Sequence, residues 1–278
     1  MTQEEFSKRT LVSKFSLSAE ELSLVLSMVG QPEQGQAILK TAHENLVRLD
    51  MDSLLSSASH SLLARGFSKI STAGQPILEK NLEKASTVLI QFDQLIYLNI
   101  VSGSRPLELT IHVKSPKAFC SHLNKANVVH VLEYGQFRDL GKYLIYILGE
   151  SIISSTSTSD HFEAPIPFSI LPTSLELHKN QMQISISLTN AGWPSDRADM
   201  LAEDLIRKIV RGSLIRINSG NLTSEEQIAK APRSGLLFLR GLQRSWVFKF
   251  PSMEPSAIGQ ARLVDLDTFE QFLIGFVK

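Results

Sequence analysis

One stretch of alternating residues limits the possible folds of this chain more than any other part of its sequence. Residues 107–113 read LELTIHV, so apolar and polar side chains alternate without exception. A period of two places the apolar side chains on one face of a β-sheet and the polar ones, including His112, in water. The apolar run 95–101 precedes this stretch, and Gly103 and Pro106 favour a chain reversal between the two. The sequence therefore predicts a β-hairpin.

The order of elements around this hairpin occurs twice along the chain. In the first copy, the hairpin is followed by an apolar run at 128–132 and by an amphipathic helix over 137–147. The second copy has expected strands and then a helix in the same order: 236–240, 246–250, 261–266 and 267–277.

Each copy is preceded by an expected helix that ends in Arg-Gly. These helices cover 52–65 and 196–211, and Gly66 and Gly212 follow them. Glycine just past a helix is a common C-terminal cap, because it adopts the left-handed conformation without a steric cost. The fold class that we predict is therefore α+β, with two quasi-equivalent halves that each form an antiparallel β-meander with flanking helices.

The boundary between the halves is expected in a segment rich in serine and threonine. Residues 151–168 read SIISSTSTSDHFEAPIPF. Such a composition buries too little apolar surface to offset its ordering entropy, which is typical of a linker or a long surface loop. We therefore predict an N-terminal α+β half at 1–150, the linker at 151–168 and a C-terminal α+β half at 169–278. In the C-terminal half, the alternating run 182–188 (MQISISL) predicts a strand.

Four helices are expected before the hairpin. Ser18 and Glu21 have the spacing of a capping box, which satisfies two amide groups at a helix N-terminus. This motif predicts a helix that begins at Ser18 and ends before Gly30. The other three follow from apolar spacing and from starts at Pro32, at Asp50 or Asp52, and at Pro76: 32–47, 52–65 and 76–89.

Three helices followed by a hairpin are also the outline of a winged-helix DNA-binding domain. In that interpretation the helix over 52–65 would enter the major groove. Its polar positions are Ser56, Ser57, Ser59 and His60, whereas Arg, Lys and Asn are the residues that read base edges. A winged-helix-like, transcription-related protein is therefore the alternative interpretation.

The chain contains no recognisable catalytic motif. It has no Gly-x-Ser-x-Gly elbow, no HExxH sequence and no pair of cysteines at metal-binding spacing. Gly30 and Gly35 have the spacing of a phosphate-binding loop, but the lysine and hydroxyl residue of that motif are absent. The sequence therefore predicts no catalytic residue, no cofactor-binding residue and no metal ligand.

Two groups of potentially reactive side chains are interpreted as structural. One group lies within a short stretch and lacks a third orienting partner: His112, Cys120, His122 and His130. The other is a set of carboxylates near the C-terminus: Asp265, Asp267 and Glu270. In the second group we expect Asp267 to act as a helix N-cap.

Charge and composition narrow the functional classes. Lys plus Arg and Asp plus Glu both total 28, so no net field attracts the chain to nucleic acid or to an anionic membrane. The single cysteine, Cys120, fits a reducing compartment. Residues 1–10 contain no apolar core of a signal peptide, and no run of about 18 apolar residues occurs. We therefore expect a cytoplasmic protein without a transmembrane helix.

One segment of the second half carries basic charge only. Between Lys230 and Met253 every charged side chain is basic, and aromatic residues lie among them. Arg and Trp are residue types enriched at binding hot spots. The candidate partner-binding patch therefore consists of seven residues: Lys230, Arg233, Phe238, Arg240, Arg244, Trp246 and Lys249.

Three segments carry a resemblance to a known family: Leu62–Gly66 before the first meander, the hairpin at Leu95–Val113, and Ala261–Asp265 leading into the last helix. With two such halves over most of the chain, the arrangement resembles the EspG family of type VII secretion chaperones. Members are cytosolic, non-enzymatic proteins that hold the helical tip of a secreted partner through a central sheet and a C-terminal helical region. The resemblance implies a chaperone-like protein with a protein partner and no cofactor, and it identifies no individual partner-binding residue.

Three functions remain open at this stage. The first is a non-enzymatic, chaperone-like binding protein, and the second is the winged-helix-like DNA-binding protein. The third is an enzyme whose catalytic groups come together only in the fold. The neutral charge does not favour nucleic acid as a partner.

Overall fold

The computed structural model describes residues 12–43, 50–102, 105–148, 162–171, 180–218 and 230–277. Within these ranges the fold is α+β, with eight α-helices and twelve β-strands. In chain order they are β1 (Ser13–Ser18), α1 (Ala19–Met28), α2 (Pro32–Ala42), α3 (Met51–Ala64), β2 (Ser68–Ile70), β3 (Pro76–Leu78), α4 (Lys80–Ile90), β4 (Gln94–Ser102), β5 (Arg105–Lys114), β6 (Ala118–Lys125), β7 (Val129–Gln136), α5 (Leu140–Leu148), β8 (Glu163–Pro167), α6 (Gln181–Asn190), α7 (Ser195–Ile206), β9 (Val210–Asn218), β10 (Arg233–Arg240), β11 (Ser245–Phe250), β12 (Ile258–Leu263) and α8 (Leu266–Val277).

The chain divides into two compact units. The first contains the residues up to Gln94 together with Leu109–Asp139, and the second contains Leu95–Glu108 together with Leu140–Lys278. The predicted α+β class is confirmed. The predicted hairpin is also confirmed, because β4 and β5 cover both of its strands.

In the first unit, antiparallel strands pair in the order β1-β7-β6-β5. Helices α1, α3 and α4 contribute to one core together with the inward side chains of β1, β6 and β7. The buried members of this core are Phe15, Leu17, Leu22, Val25, Leu26, Leu62, Leu78, Leu82, Ala85, Val88, Ala118, Cys120 and Leu132. The short strands β2 and β3 form a separate two-stranded ladder.

The start of α1 matches the predicted capping box. The Ser18 hydroxyl accepts a hydrogen bond from the Glu21 amide at 3.2 Å, and the Glu21 carboxylate accepts one from the Ser18 amide at 2.9 Å. Asp50 caps α3 by accepting from the Ser53 amide. Gly66 follows α3 at a φ of +71°, the left-handed conformation expected of a C-terminal glycine.

In the second unit, the strand order is β4-β9-β10-β11-β12-β8. Helices α6 and α7 cover one face, where Trp193, Trp246, Phe248 and Phe250 dominate the core. On the other face Phe238 of β10 meets Phe269 of α8, with ring centroids 5.9 Å apart. Of the second predicted set, 236–240 and 246–250 lie in β10 and β11, whereas the third strand is shifted to β12.

The strand prediction for residues 182–188 is wrong, because they belong to helix α6. Apolar residues at every second position of a helix form two stripes on opposite sides. Ile184 and Leu188 form the buried stripe, whereas Met182 is 70% and Ile186 is 48% exposed. Asn180 caps the start of this helix, because its side chain accepts a hydrogen bond from the Gln183 amide.

The helix prediction for 196–211 is correct only as far as Ile206, where α7 ends. Gly212 is not a helix cap, because it lies inside β9 and pairs with Phe238. A β carbon at Gly212 would lie 2.2 Å from the Phe238 ring and 2.6 Å from the Asn99 carbonyl oxygen. This glycine therefore serves close packing of strands and not chain reversal.

Other element boundaries differ from the predictions as well. Pro76 opens strand β3, and α4 begins only after Glu79, whose carboxylate accepts two hydrogen bonds from the first turn. The helix expected over 32–47 ends at Ala42 among the described residues. Asp265, and not Asp267, caps the last helix by accepting from the Thr268 amide at 2.8 Å.

Part of the predicted linker is regular structure. Residues Glu163–Pro167 form β8, an edge strand that pairs with β12, and proline is tolerated at such an edge. The stretch 151–161 lies outside the described residues. Residues 13–18, for which no strand was predicted, form the other edge strand, β1.

Candidate functional site

A cleft of about 370 Å³ opens in the second unit. Strands β4, β9 and β10 form its floor, and residues 168–171, α7 and the turn after β11 contribute its walls. The lining residues are Asn99, Val101, Phe168, Leu171, Leu205, Arg211, Gly212, Ser213, Ile215, Leu237, Phe238, Leu239, Phe248 and Met253. We refer to this site as the β9 cleft.

The strand register explains how the floor of the β9 cleft is built. Ser213 pairs with Leu237, and Arg211 pairs with Leu239, so these side chains share one face of the sheet. Gly235 leaves the space that Met253 fills, since a β carbon there would lie 2.0 Å from the Met253 sulfur. Strand pairing and one glycine thus decide which side chains reach the cleft.

The walls of the β9 cleft are held by the core beneath them. Phe168 packs edge-on against Phe250, with ring centroids 5.1 Å apart. Leu171 and Leu205 are almost fully buried and belong to the same apolar cluster. The cleft therefore has a preformed apolar surface, which is the usual construction of a binding site.

The described lining of the β9 cleft contains few polar groups. Its polar groups are the Arg211 guanidinium, the Asn99 amide and the Ser213 hydroxyl. Among the described lining residues there is no carboxylate, histidine or cysteine, so none of them is a general base for Ser213. The arrangement suits apolar side chains accompanied by a few hydrogen bonds.

The predicted basic patch is only partly exposed. Lys230, Arg233 and Lys249 are exposed, whereas Trp246 is fully buried and Phe238 is 2% exposed. The two aromatic rings lie on opposite faces of the sheet, because Leu239 pairs with Trp246 and Phe238 pairs with Val247. Of the seven patch residues only Phe238 lines the β9 cleft.

Arg240 is half-buried, and Arg244 belongs to an internal ion-pair network. The guanidinium of Arg244 donates at 2.8 Å to both Glu203 and Asp204, and the Trp246 indole donates to Asp204 at 2.9 Å. Burial alone would lower the pKa of Arg244, but the bonds to Asp204 and Glu203 raise it above its ordinary value. This network stabilises the packing of α7 against β11.

The histidines and the cysteine that are close in sequence also share a face of the sheet in the first unit. His112 pairs with Cys120, and His122 Nε2 lies 2.9 Å from His130 Nδ1 within one hydrogen bond. His112 therefore does not lie in water as predicted, and it packs edge-on against Phe92 at 4.9 Å between ring centroids.

Burial determines the charge state of this cluster. Burial, with a smaller effect of a neighbouring histidine, lowers the pKa of His112 to about 3 and that of His122 to about 4. Burial raises the pKa of the Cys120 thiol, assisted by Glu133, so the reactive thiolate is disfavoured. Among the described residues, no three His, Cys, Asp or Glu side chains have an arrangement that could hold a metal ion.

The helix that would read DNA in a winged-helix domain shows little basic charge. Its exposed positions include Ser56, Ser57 and His60. Arg65 follows this helix and binds Glu21 at 2.8 Å. No base-reading side chain of the usual type lies on the exposed side of α3.

The β9 cleft was not apparent from the sequence, because its lining residues come from six separate segments. One local signal was present, since Gly212 lies in a strand at a point where the Asn99 backbone approaches closely. That glycine had a second explanation as a helix cap, and the strand register needed to decide between the two is not visible in the sequence.

Two helices of the second unit also meet through a glycine. Gly141 of α5 faces Ile274 of α8, where a β carbon would lie 2.7 Å from the Ile274 side chain.

Within the described ranges, every helix is too short or too polar to cross a lipid bilayer.

Comparison with known proteins gives a match in structure alone. No family model and no curated protein sequence matches the chain. Among solved structures, it is similar to the Mycobacterium tuberculosis type VII secretion system chaperone EspG5 in complex with the PE25–PPE41 dimer, with a TM-score of 0.54. The match has 9% sequence identity and covers 95% of this chain and 94% of that one. The chain therefore has an EspG-like fold.

Proposed function

We propose that this chain is a non-enzymatic, chaperone-like protein that binds a helical protein partner. The observation that carries the proposal is the EspG-like fold over 95% of the chain, since the EspG5 structure is that of a complex with a protein dimer. By the same analogy we propose a cytoplasmic location, with which a single buried cysteine is compatible.

The β9 cleft is the proposed docking site for apolar side chains of the partner. Amphipathic helices bind hydrophobic grooves through anchors spaced three to four residues apart. Ile215, Leu237 and Met253 give the cleft an apolar floor that accepts such anchors. A stable interface buries about 1,200 Å² or more in total, so the partner must also contact the surface around the cleft.

Basic side chains define the preferred charge of that partner. Arg211 lines the cleft, and the exposed Arg233 lies next to it, because its carbonyl accepts a hydrogen bond from the Met253 amide. Arginine at an interface rim favours acidic groups and increases the association rate at low salt. From the predicted patch, the exposed Lys230, Arg233 and Lys249 therefore remain candidate contacts.

Affinity capture with matched variants tests the proposed function. The tagged full chain is recovered from its native cells with its companion, and the complex is sized by light scattering. Ile215→Arg puts a charge into the cleft, and Ile258→Arg is the control, since Ile258 is 65% exposed outside the cleft. We expect the wild type and I258R to retain one companion at equal stoichiometry and I215R to lose it. Recovery of no companion, or equal recovery by I215R, contradicts the proposal.

We also propose that the two halves arose by duplication, with the boundary between them in the predicted segment 151–168, ahead of β8. In support, β1 pairs with β7, the last strand of the meander that follows it, and β8 pairs in the same way with β12. A helix follows each meander. Limited proteolysis tests the junction: first cleavage is expected within 151–161, and first cleavage elsewhere contradicts it.

A further inference from the structure

The two edge strands of the fold differ in their outward backbone groups. In a strand paired on one side, every second residue directs its amide and carbonyl away from the partner. In β8 the outward residues are Glu163, Pro165 and Pro167, because Phe162 and Phe168 bond toward β12. Proline has no amide hydrogen, so this edge offers few donors to another strand.

The edge of β1 has the opposite character. The Ala19 amide bonds to the Val128 carbonyl, which fixes Lys14, Ser16 and Ser18 as the outward residues. All three carry an amide hydrogen, and that of Ser18 already donates to the Glu21 carboxylate at 2.9 Å, so Lys14 and Ser16 are the residues that can pair. Such an edge is a template on which an extended segment can pair.

A groove lies beside this edge. It measures about 480 Å³ and has Ser16 and Leu17 of β1 on one side and Leu54, Ser57 and Ala58 of α3 on the other. An edge strand facing a helix across a groove is a geometry that binds extended peptides by strand addition. Apolar contacts for alternate peptide side chains are available from Leu54 and from Val128, which is 56% exposed.

The groove contains a buried ion pair that prepares the edge. Arg65 donates to both oxygens of the almost fully buried Glu21 and also to the Ser16 carbonyl at 2.5 Å. A carbonyl oxygen has two lone pairs, so Ser16 can accept a second hydrogen bond while Arg65 stays in place. Because Glu21 neutralises Arg65, the remaining charged group of the described groove lining is the Glu20 carboxylate, which lies 2.6 Å from the His43 ring and favours a basic peptide.

We propose that an extended, basic segment of a partner protein adds to β1 as a further strand and lies in the groove beside α3. The segment pairs with Lys14 and Ser16 and directs alternate apolar side chains at Leu54 and Val128. A strand as long as β1 needs about six residues. This site is separate from the β9 cleft and does not depend on the proposed function.

Peptide selection against the full-length protein tests the proposal. A phage-displayed library of random peptides of about twelve residues is the probe, because strand addition requires only a short extended segment. Selected peptides are synthesised, and their affinities are measured by fluorescence polarisation. We expect sequences with alternating apolar residues and Lys or Arg, and protection of the Ser16 amide from hydrogen exchange when they bind.

Two pairs of variants assign the binding to the edge and to the groove. For the edge, Ser16→Pro removes the outward amide hydrogen, whereas Ser16→Ala keeps it. For the groove, Ser57→Trp fills the space beside α3, whereas Ser56→Trp adds the same ring outside the groove. Loss of a backbone hydrogen bond together with a steric clash should weaken S16P binding about tenfold or more, and S16A should bind like the wild type. S57W should lose binding and S56W should keep it.

Several results overturn the proposal. It is wrong if no peptide is enriched over the bare support, or if S57W binds the selected peptides as tightly as the wild type. Should S16P fail to fold by circular dichroism, the comparison of S57W with S56W decides, because both positions are exposed on α3. If the chain instead dimerises through β1 and excludes every peptide, the occupant is a second copy and the partner-segment proposal is refuted.

Discussion

The buried histidines predict that acid destabilises the first unit well above the pH at which carboxylates protonate. An unfolded histidine has a pKa of about 6.5. The folded values are about 3 for His112 and about 4 for His122, and burial also lowers the pKa of His130. The unfolded state therefore binds more protons than the folded state between the folded pKa values and about pH 6.5, so stability is complete above about pH 6.5 and falls as pH falls below it.

The size of this loss of stability in acid follows from the same pKa values. Between about pH 7.5 and pH 5, His112 and His122 each remove about 2 kcal/mol from the free energy of unfolding, since one pKa unit corresponds to about 1.4 kcal/mol. The expected loss from these two groups is therefore about 4 kcal/mol. Against a total stability of about 5–15 kcal/mol, this is a large fraction.

One substitution tests the reasoning. His112→Phe keeps a ring against Phe92, and it removes a buried Nδ1 atom that has no hydrogen-bond partner in the described part of the chain. Urea unfolding at both pH values, followed by far-UV circular dichroism, should show the acid loss reduced by about 2 kcal/mol in H112F. His60→Gln, at an exposed position of α3, is the control and should retain the full loss. An acid loss in H112F equal to that of the wild type would refute the burial argument.

Three further changes test the packing. Gly212→Ala should lower the free energy of unfolding by about 1–3 kcal/mol, because its β carbon overlaps the Phe238 ring. Gly275→Ala is the control: its β carbon meets no described atom within 4 Å, so this variant should be neutral or stabilising. Thermal unfolding compares the two variants. Asp204→Ala should cost about 3 kcal/mol, because Arg244 and the Trp246 indole lose their buried acceptor while Glu203 still pairs with Arg244. Asp196→Asn, at an exposed carboxylate, should change little in the same urea titration. Ser18→Ala should cost about 1 kcal/mol through loss of the capping box, with faster amide exchange in the first turn of α1, and unchanged exchange would contradict the assigned cap.

Local signals that agree with one another allowed parts of the fold to be predicted. Ser18 and Glu21 specify the start of α1, because both capping bonds are local in sequence. The strands at 95–101 and 107–113 were predicted because alternation, β-branched residues and turn residues coincide there.

The failure at residues 182–188 shows the limit of such reasoning. A period of two predicts a strand, yet on a helix it gives two opposite apolar stripes, and Ile184 and Leu188 bury one of them. Asn180 supplied a helix cap that could have changed the interpretation. Tertiary packing decided between the two structures, as it often does for short apolar segments.

The β9 cleft was not predictable because it depends on strand order and register. Asn99, Ser213 and Leu237 are distant in sequence, and β4, β9 and β10 bring them together. The basic patch was predicted from sequence proximity alone. Because neighbouring strand residues point to opposite faces, Phe238 and Trp246 separate in the fold.

Methionine footprinting of the captured complex tests the central claim most directly. Met253 lines the β9 cleft, whereas Met182 is 70% exposed on α6 outside it. Hydroxyl-radical oxidation of both residues is compared by mass spectrometry in the free chain and in the complex. A partner held in the cleft should protect Met253 several-fold and leave Met182 unchanged. Equal oxidation of Met253 in both samples, or protection of Met182 in its place, would contradict the assignment of the cleft as the docking site.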